Sequence, residues 1–127
     1  MEENRRFKWV FICSPLKGNT ETNTRKALMY CQYAIVSGKL PICSHIYFTQ
    51  FANESNPILR AISMGYGLDL MLLCHELWVC GAHISDRMKT EIERAKKYGI
   101  PVHHLLEKDT EHTLKTMKGF FDNVHCV

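Results

Sequence analysis

The chain has 127 residues, long enough for one domain with a core of its own and too short for two. Its 46% hydrophobic and 23% charged residues are an ordinary globular balance. The net charge of +3 comes from Lys and Arg spread along the chain, so no nucleic-acid polymer is expected as partner.

Residues 7–14 read as a first strand, because Trp9-Val10-Phe11-Ile12-Cys13 is too continuously apolar for a one-sided antiparallel strand. The turn-rich loop Ser14-Pro15-Leu16-Lys17-Gly18-Asn19 leads to a helix over about 20–37. Its apolar line is Ala27, Leu28, Cys31, Ala34 and Ile35, and Gly38 closes it. Residues 40–46 read as strand two. Asn56-Pro57 pairs an N-cap with proline at the first helical position, opening a helix to about residue 73. Strand three spans 77–80, the next helix about 85–98, strand four 100–105 and a last helix 110–122. The alternation predicts a single domain over residues 1–127: a three-layer α/β/α, flavodoxin- or Rossmann-like fold on a mostly parallel sheet of four or five strands.

Four absences narrow the setting. No stretch approaches the roughly 20 apolar residues that span a membrane. Met1 to Arg6 carries acidic residues and is followed by no apolar stretch long enough for a signal peptide, so none is expected. No two of the six cysteines are spaced C-x-x-C, which predicts reduced thiols, a cytoplasmic setting and no zinc site. The seven histidines show no H-x-x-x-H spacing, so no metal is expected. His103 and His104 fall in a terminal strand and His125 in the tail. His45, at the end of strand two, is either a site residue or a satisfied strand-end imidazole.

Ligands of open parallel sheets bind where strands end and helix N-termini face them. The unit from Glu76 through Gly81 and the loop 82–87 into the next helix is such a place. In that helix Met88, Ile92 and Ala95 form the apolar stripe, Glu91 lies beside it, and Glu93, Arg94, Lys96 and Lys97 point away. Glu91 is therefore the carboxylate aimed inward, although a helix macrodipole alone also favours glutamate near the N-terminus. Asp69 shares a helical line with Ile58, Ile62, Gly65 and Leu72. A carboxylate in such a seam needs a partner, a raised pKa or a cavity, so Asp69 is either a buried cap or a proton-transfer group. The first loop offers amides, hydroxyls and Lys17 to a phosphate or sugar hydroxyl, with Asn23 one turn into the helix. It does not match the P-loop pattern. Trp78 is expected in the core, with stacking on a base as the alternative.

From about Val10 to Val102 the chain resembles the nucleoside 2-deoxyribosyltransferase-like proteins. These include deoxyribosyltransferases, nucleoside 5′-monophosphate N-glycosidases and many small domains found in phages and Firmicutes. The resemblance rests on Ile12-Cys13-Ser14-Pro15-Leu16-Lys17-Gly18 with Asn23, on Pro41-Ile42-Cys43-Ser44-His45, on Gly67-Leu68-Asp69-Leu70, and on Ser85-Asp86-Arg87-Met88-Lys89-Thr90-Glu91-Ile92. It implies Glu91 as the nucleophile on C1′ of the sugar, Asp69 managing the proton of the leaving base, and Ser85 holding a phosphate or 5′-oxygen. It places Ser14, Pro15, Lys17, Gly18, Asn23, His45, Gly81, Ser85, Arg87 and Met88 around a nucleoside or nucleotide. It implies no cofactor, and a homo-oligomer. Met64, Tyr66 and Met71, off the core line of the helix from Pro57 to about residue 73, are either such an interface or a second buried face.

The reaction so implied is cleavage or exchange of an N-glycosidic bond through a glycosyl ester. Many relatives have glycine where this chain has Arg87. A guanidinium there either recruits a phosphate, favouring a nucleotide, or blocks the sugar pocket, favouring a non-catalytic nucleotide-binding protein on the same fold. A flavodoxin-like flavin binder is the weaker third reading.

Overall fold

The computed structural model describes residues 6–52 and 55–123, with side chains described as far as Met117. The N-terminal residues, His125 and Cys126 lie outside them. The chain runs β1 (Trp9–Cys13), α1 (Thr20–Val36), β2 (Leu40–Ile42), α2 (Ser44–Thr49), α3 (Pro57–Met71), β3 (Glu76–Cys80), α4 (Asp86–Lys97), β4 (Val102–Leu105) and α5 (Glu107–Asn123). The four strands are all parallel, in the order β2-β1-β3-β4. The expected single-domain α/β/α architecture is the one found.

The two central strands show why. In β1, Val10 and Ile12 face one helical layer while Phe11 and Cys13 face the other, and all four are fully buried. In β3, Trp78 and Cys80 alternate with Leu77 and Val79 in the same way. A strand covered on both faces has no polar side to show, hence the unbroken apolar runs. Tyr30 and Ala34 of α1 cover one face, and Met71 of α3 with Met88 and Ala95 of α4 cover the other. Trp78 is in the core as expected, its indole N–H donating to Glu76 Oε1 at 3.0 Å.

Local signals set the boundaries. Asn56 accepts from the amides of Ile58 and Leu59 at 3.1 and 3.2 Å, capping α3 with Pro57 in its first turn. Gly38, at φ +78°, ends α1, with Lys39 N–H reaching back to Ala34 O at 2.9 Å.

Three expectations are corrected. Strand two stops at Ile42, Cys43 is the N-cap of α2, and Ser44 and His45 are helical. The run Ile42 to Phe48 is rich in residues that favour strands. β2 is an edge strand interrupted by Pro41, and the aromatic residues instead gather Tyr47, Phe48 and Phe51 at centroid distances of 5.1–5.7 Å. The buried line of α1 is Ala27, Tyr30 and Ala34, while Leu28 and Ile35 are exposed. In α3 the buried residues are Gly67 and Met71, while Ile58, Ile62 and Asp69 face outward. No helix among the described residues is long and apolar enough to cross a membrane.

Candidate functional site

The carboxyl ends of β1 and β3 meet the N-terminus of α4, and most of the expected site residues gather there. After β1, Leu16 is buried and pins the loop, and Gly18 turns it at φ +99°. Asn23 donates its side-chain amide to Leu16 O at 3.1 Å and Lys17 O at 3.0 Å. It is thus a staple for the loop. After β3, Gly81 takes φ +87°, and a Cβ there would stand 3.2 Å from the Tyr30 hydroxyl. Ser85 caps α4, its hydroxyl accepting from Met88 N at 3.3 Å.

Arg87 lies in the first turn of α4 rather than in the loop before it. Its guanidinium donates to Ser14 O and, at 2.9 Å, to Glu91 Oε2. Glu91 is only 4% exposed, and its Oε1 is buried with no hydrogen-bond partner. Burial pushes the Glu91 carboxyl above the usual carboxylate range, and the Arg87 guanidinium and the Cys13 thiol pull against that shift. An ionised carboxylate taken out of water costs several kcal/mol, roughly, which one guanidinium offsets only in part. Cys13 is fully buried, and burial with the Glu91 charge beside it pushes its thiol up.

The opposite wall comes from α2 and α3. His45 is buried, and burial with the nearby Arg87 charge pushes its imidazole down to about 3, so it is neutral near pH 7. His45, Gly67, Arg87 and Glu91 line an inner cavity of about 40 Å³. Outside it, Lys17, Arg60, His83, Ser85 and Arg87 line a cavity of about 420 Å³. That is within the range of small-molecule sites. Arg60, Met64 and Arg87 belong to both walls. A third space, of about 220 Å³, is lined by Ser14, Pro15, Asn23 and Gly81 and shares Lys17 and His83 with the outer one.

Three expected site residues line none of these cavities: Asp69, Met88 and Gly18, which only turns the first loop. Asp69, its side chain 76% exposed, lies 4.0 Å from Arg94 and lines none of these cavities. α3 turns Gly67 and Met71 inward, which carries Asp69 outward. The Met88 side chain is fully buried in the core and lines none of these cavities, as its place on the apolar stripe requires. Arg60, Met64 and His83 were not anticipated. Arg60, Met64, Gly67 and Met71 recur at helical spacing, so reading α3 from Gly67 would have found the first two. Among the described residues no three His, Cys, Asp or Glu side chains are grouped so as to hold a metal.

The architecture is an α/β domain with helices on both faces of a parallel sheet and a buried carboxylate at its strand ends. The chain belongs to the family described as Domain of unknown function (DUF7768), whose model matches residues 8–105. No curated protein and no solved structure matches it.

Proposed function

We propose that this chain cleaves or exchanges the N-glycosidic bond of a (deoxy)nucleoside 5′-monophosphate, with Glu91 as nucleophile. The observation that carries the reading is Glu91 itself: a buried carboxylate with Oε2 held by Arg87 and Oε1 unpartnered in the cavity wall. The Arg87 charge favours the ionised form that a nucleophile needs. Oε1 would form the ester bond to C1′ as the C1′–N bond breaks, leaving its electron pair on the base. Water or a second base then displaces Glu91. With Asp69 on the outer surface and His45 held neutral, the leaving base takes its proton from solvent.

The monophosphate is preferred over the free nucleoside because of Arg87. The inner cavity, at about 40 Å³, has room for a few waters only, so a sugar enters only when Arg87 moves aside. A phosphate in the outer cavity, near Lys17 and Arg60, offers the guanidinium a bidentate partner in exchange for Glu91. A nucleoside has no such group.

The second reading, a protein that binds a nucleotide without cleaving it, draws support from the same contact. Arg87 ties the carboxylate to Ser14 O, and the acid expected of Asp69 is not beside it. Turnover separates the two. Chromatography of a panel of deoxynucleosides and their 5′-monophosphates, with and without an acceptor base, should show base release or exchange that is lost in Glu91→Gln. Binding without turnover, with the same ligand retained by Glu91→Gln, would promote the second reading.

A further inference from the structure

The third cavity has no part in the glycosidic reaction. Its Tyr30 and Cys80 pack on the face of the sheet that carries Val10 and Ile12, whereas α4, which carries Glu91, covers the face of Phe11 and Cys13. An occupant there lies across the strand ends from the reacting bond, so it is neither the sugar under attack nor an acceptor base. The space is nevertheless polar. Ser14 is 1% exposed and lines this cavity but neither of the others, and its hydroxyl is buried without a hydrogen-bond partner. Buried hydroxyls are nearly always paired, so an unpaired one in a cavity wall marks a place for a ligand atom. The Tyr30 hydroxyl stands beside Gly81, where glycine keeps the wall clear. Burial pushes the Tyr30 pKa up, so this hydroxyl stays protonated and able to donate. Lys26 of α1 and Glu107 of α5, both partly exposed, complete the set as an ion pair at 2.8 Å.

Three donors around one carboxylate suit vicinal hydroxyls, each of which donates one hydrogen bond and accepts others. A bare anion would meet Glu107 instead. At about 220 Å³ the cavity is smaller than a whole small-molecule site, and it shares Lys17 and His83 with the outer cavity. It therefore fits one part of a ligand whose remainder lies in the outer cavity. That outer cavity sets Lys17, Arg60 and Arg87 against Asp86, a balance that suits the two negative charges of a diphosphate link.

We propose that the third cavity holds a sugar joined to the nucleotide through its 5′-phosphate, so that the full ligand is a nucleoside 5′-diphosphate sugar; this rests on the reading that places the nucleotide's phosphate in the outer cavity. Lys17, common to both cavities, meets the diphosphate. The sugar hydroxyls accept from the Ser14 and Tyr30 hydroxyls and donate to Glu107. Ser14 thus serves both sides of the strand ends, its carbonyl accepting from Arg87 and its hydroxyl facing the sugar.

The test is calorimetric titration of the full chain carrying Glu91→Gln, which blocks turnover, with matched series of ligands. AMP, ADP and ADP-ribose form one series; UMP, UDP and UDP-glucose, GMP, GDP and GDP-mannose, and CMP, CDP and CDP-glucose form the others. In at least one series the diphosphate sugar should bind roughly tenfold more tightly than both the monophosphate and the free diphosphate, as added hydrogen bonds require. Ser14→Ala, Tyr30→Phe and Glu107→Gln should each remove most of that gain, while Tyr30→Phe and Glu107→Gln leave monophosphate affinity unchanged. Equal affinity within every series would overturn the proposal, as would a gain that survives all three substitutions. A gain already complete in the free diphosphate would also overturn it, assigning the cavity to a second phosphate. Base release by the native chain is scored separately by chromatography. Release from a monophosphate without the gain sinks only the extended ligand, and the gain without release from any nucleotide sinks only the glycosidic reaction.

Discussion

Glu91 and Asp69 are both helical carboxylates that helical spacing turns inward, and the structure keeps one and exports the other. Glu91 is 4% exposed with one oxygen on Arg87, whereas the Asp69 side chain is 76% exposed and 4.0 Å from Arg94. The difference lies in the helices that carry them. α4 is charged on every side but one, so its apolar stripe has a single phase and Glu91, beside it, is carried inward. α3 is apolar nearly all round, with Ile58, Leu59, Ile62 and Tyr66 left exposed, so spacing alone gives it no unique inward face. An inward carboxylate can be read from sequence only where the rest of the helix is polar enough to set the phase.

The largest effects should come from breaking the Glu91 side of this comparison. Glu91→Gln keeps the shape and removes the charge; base release should disappear while ligand binding survives. Arg87→Ala leaves a buried carboxylate without its cation, a change that typically costs ~3–5 kcal/mol. The loss in denaturant stability should shrink toward acid pH, where Glu91 neutralises by taking up a proton. In the native chain the raised Glu91 pKa means that the folded state holds the proton longer than the unfolded chain. That group's contribution to stability therefore falls as pH rises above its ordinary value of 4.5. The difference between wild type and Glu91→Gln, measured by urea melts across pH, should widen in the mutant's favour on the alkaline side.

His45 works with the opposite sign. Its folded pKa is depressed from 6.5 to about 3, so the unfolded chain takes up a proton before the folded one does. The resulting stability is fully present above 6.5 and is lost as pH falls toward 3. The expected slope is about 1.4 kcal/mol per pH unit within that window. His45→Asn should flatten this acid limb, and an unchanged limb would show that His45 is not buried as described.

These contrasts mark how far the sequence could be read. The sheet was legible because β1 and β3 are buried on both faces and therefore apolar at every position. Capping made α3 and the end of α1 legible, since Asn56-Pro57 and Gly38 act through local hydrogen bonds and backbone angles alone. α2 was not, because Ile46, Tyr47 and Phe48 favour strands in isolation, whereas in the fold they are helical with Phe48 packed on Tyr66 of α3 at a centroid distance of 6.0 Å. In the site, Glu91 and the first loop were legible by position. The Arg87 bridge to Ser14, the contribution of Arg60 and the exit of Asp69 depend on how α3 rolls against α4, which no local signal encodes.

Two glycines of α3 test that roll directly. A Cβ at Gly67 would meet Ser44 Oγ at 2.9 Å and Ser44 Cβ at 3.3 Å, whereas one at Gly65 would meet nothing within 4 Å. Gly67→Ala should therefore destabilise by ~1–3 kcal/mol through crowding. Gly65→Ala, in an exposed helical position, should stabilise by roughly 0.5–1 kcal/mol through lost backbone freedom in the unfolded chain. Thermal melts of the two variants should move in opposite directions. If both fall, the inward face of α3 is not the one that carries Gly67.

The smallest effect should be the most discriminating. Asp69→Asn removes one member of a solvent-exposed pair, and such pairs contribute about 0–1 kcal/mol. Its melt should nearly overlay wild type, and base release from a monophosphate should be unchanged, although Asp69 and Glu91 stand as equals when both helices are read by spacing. A large loss of turnover without loss of stability would mean that Asp69 reaches the reacting base after all. α3 would then have to roll so that Asp69 replaces Gly67 against Ser44. That roll would also move Arg60 and Met64 out of the cavity walls, so Gly67→Ala would become harmless in the same protein. The two substitutions cannot both be mild, and measuring them together fixes which face of α3 looks at Glu91.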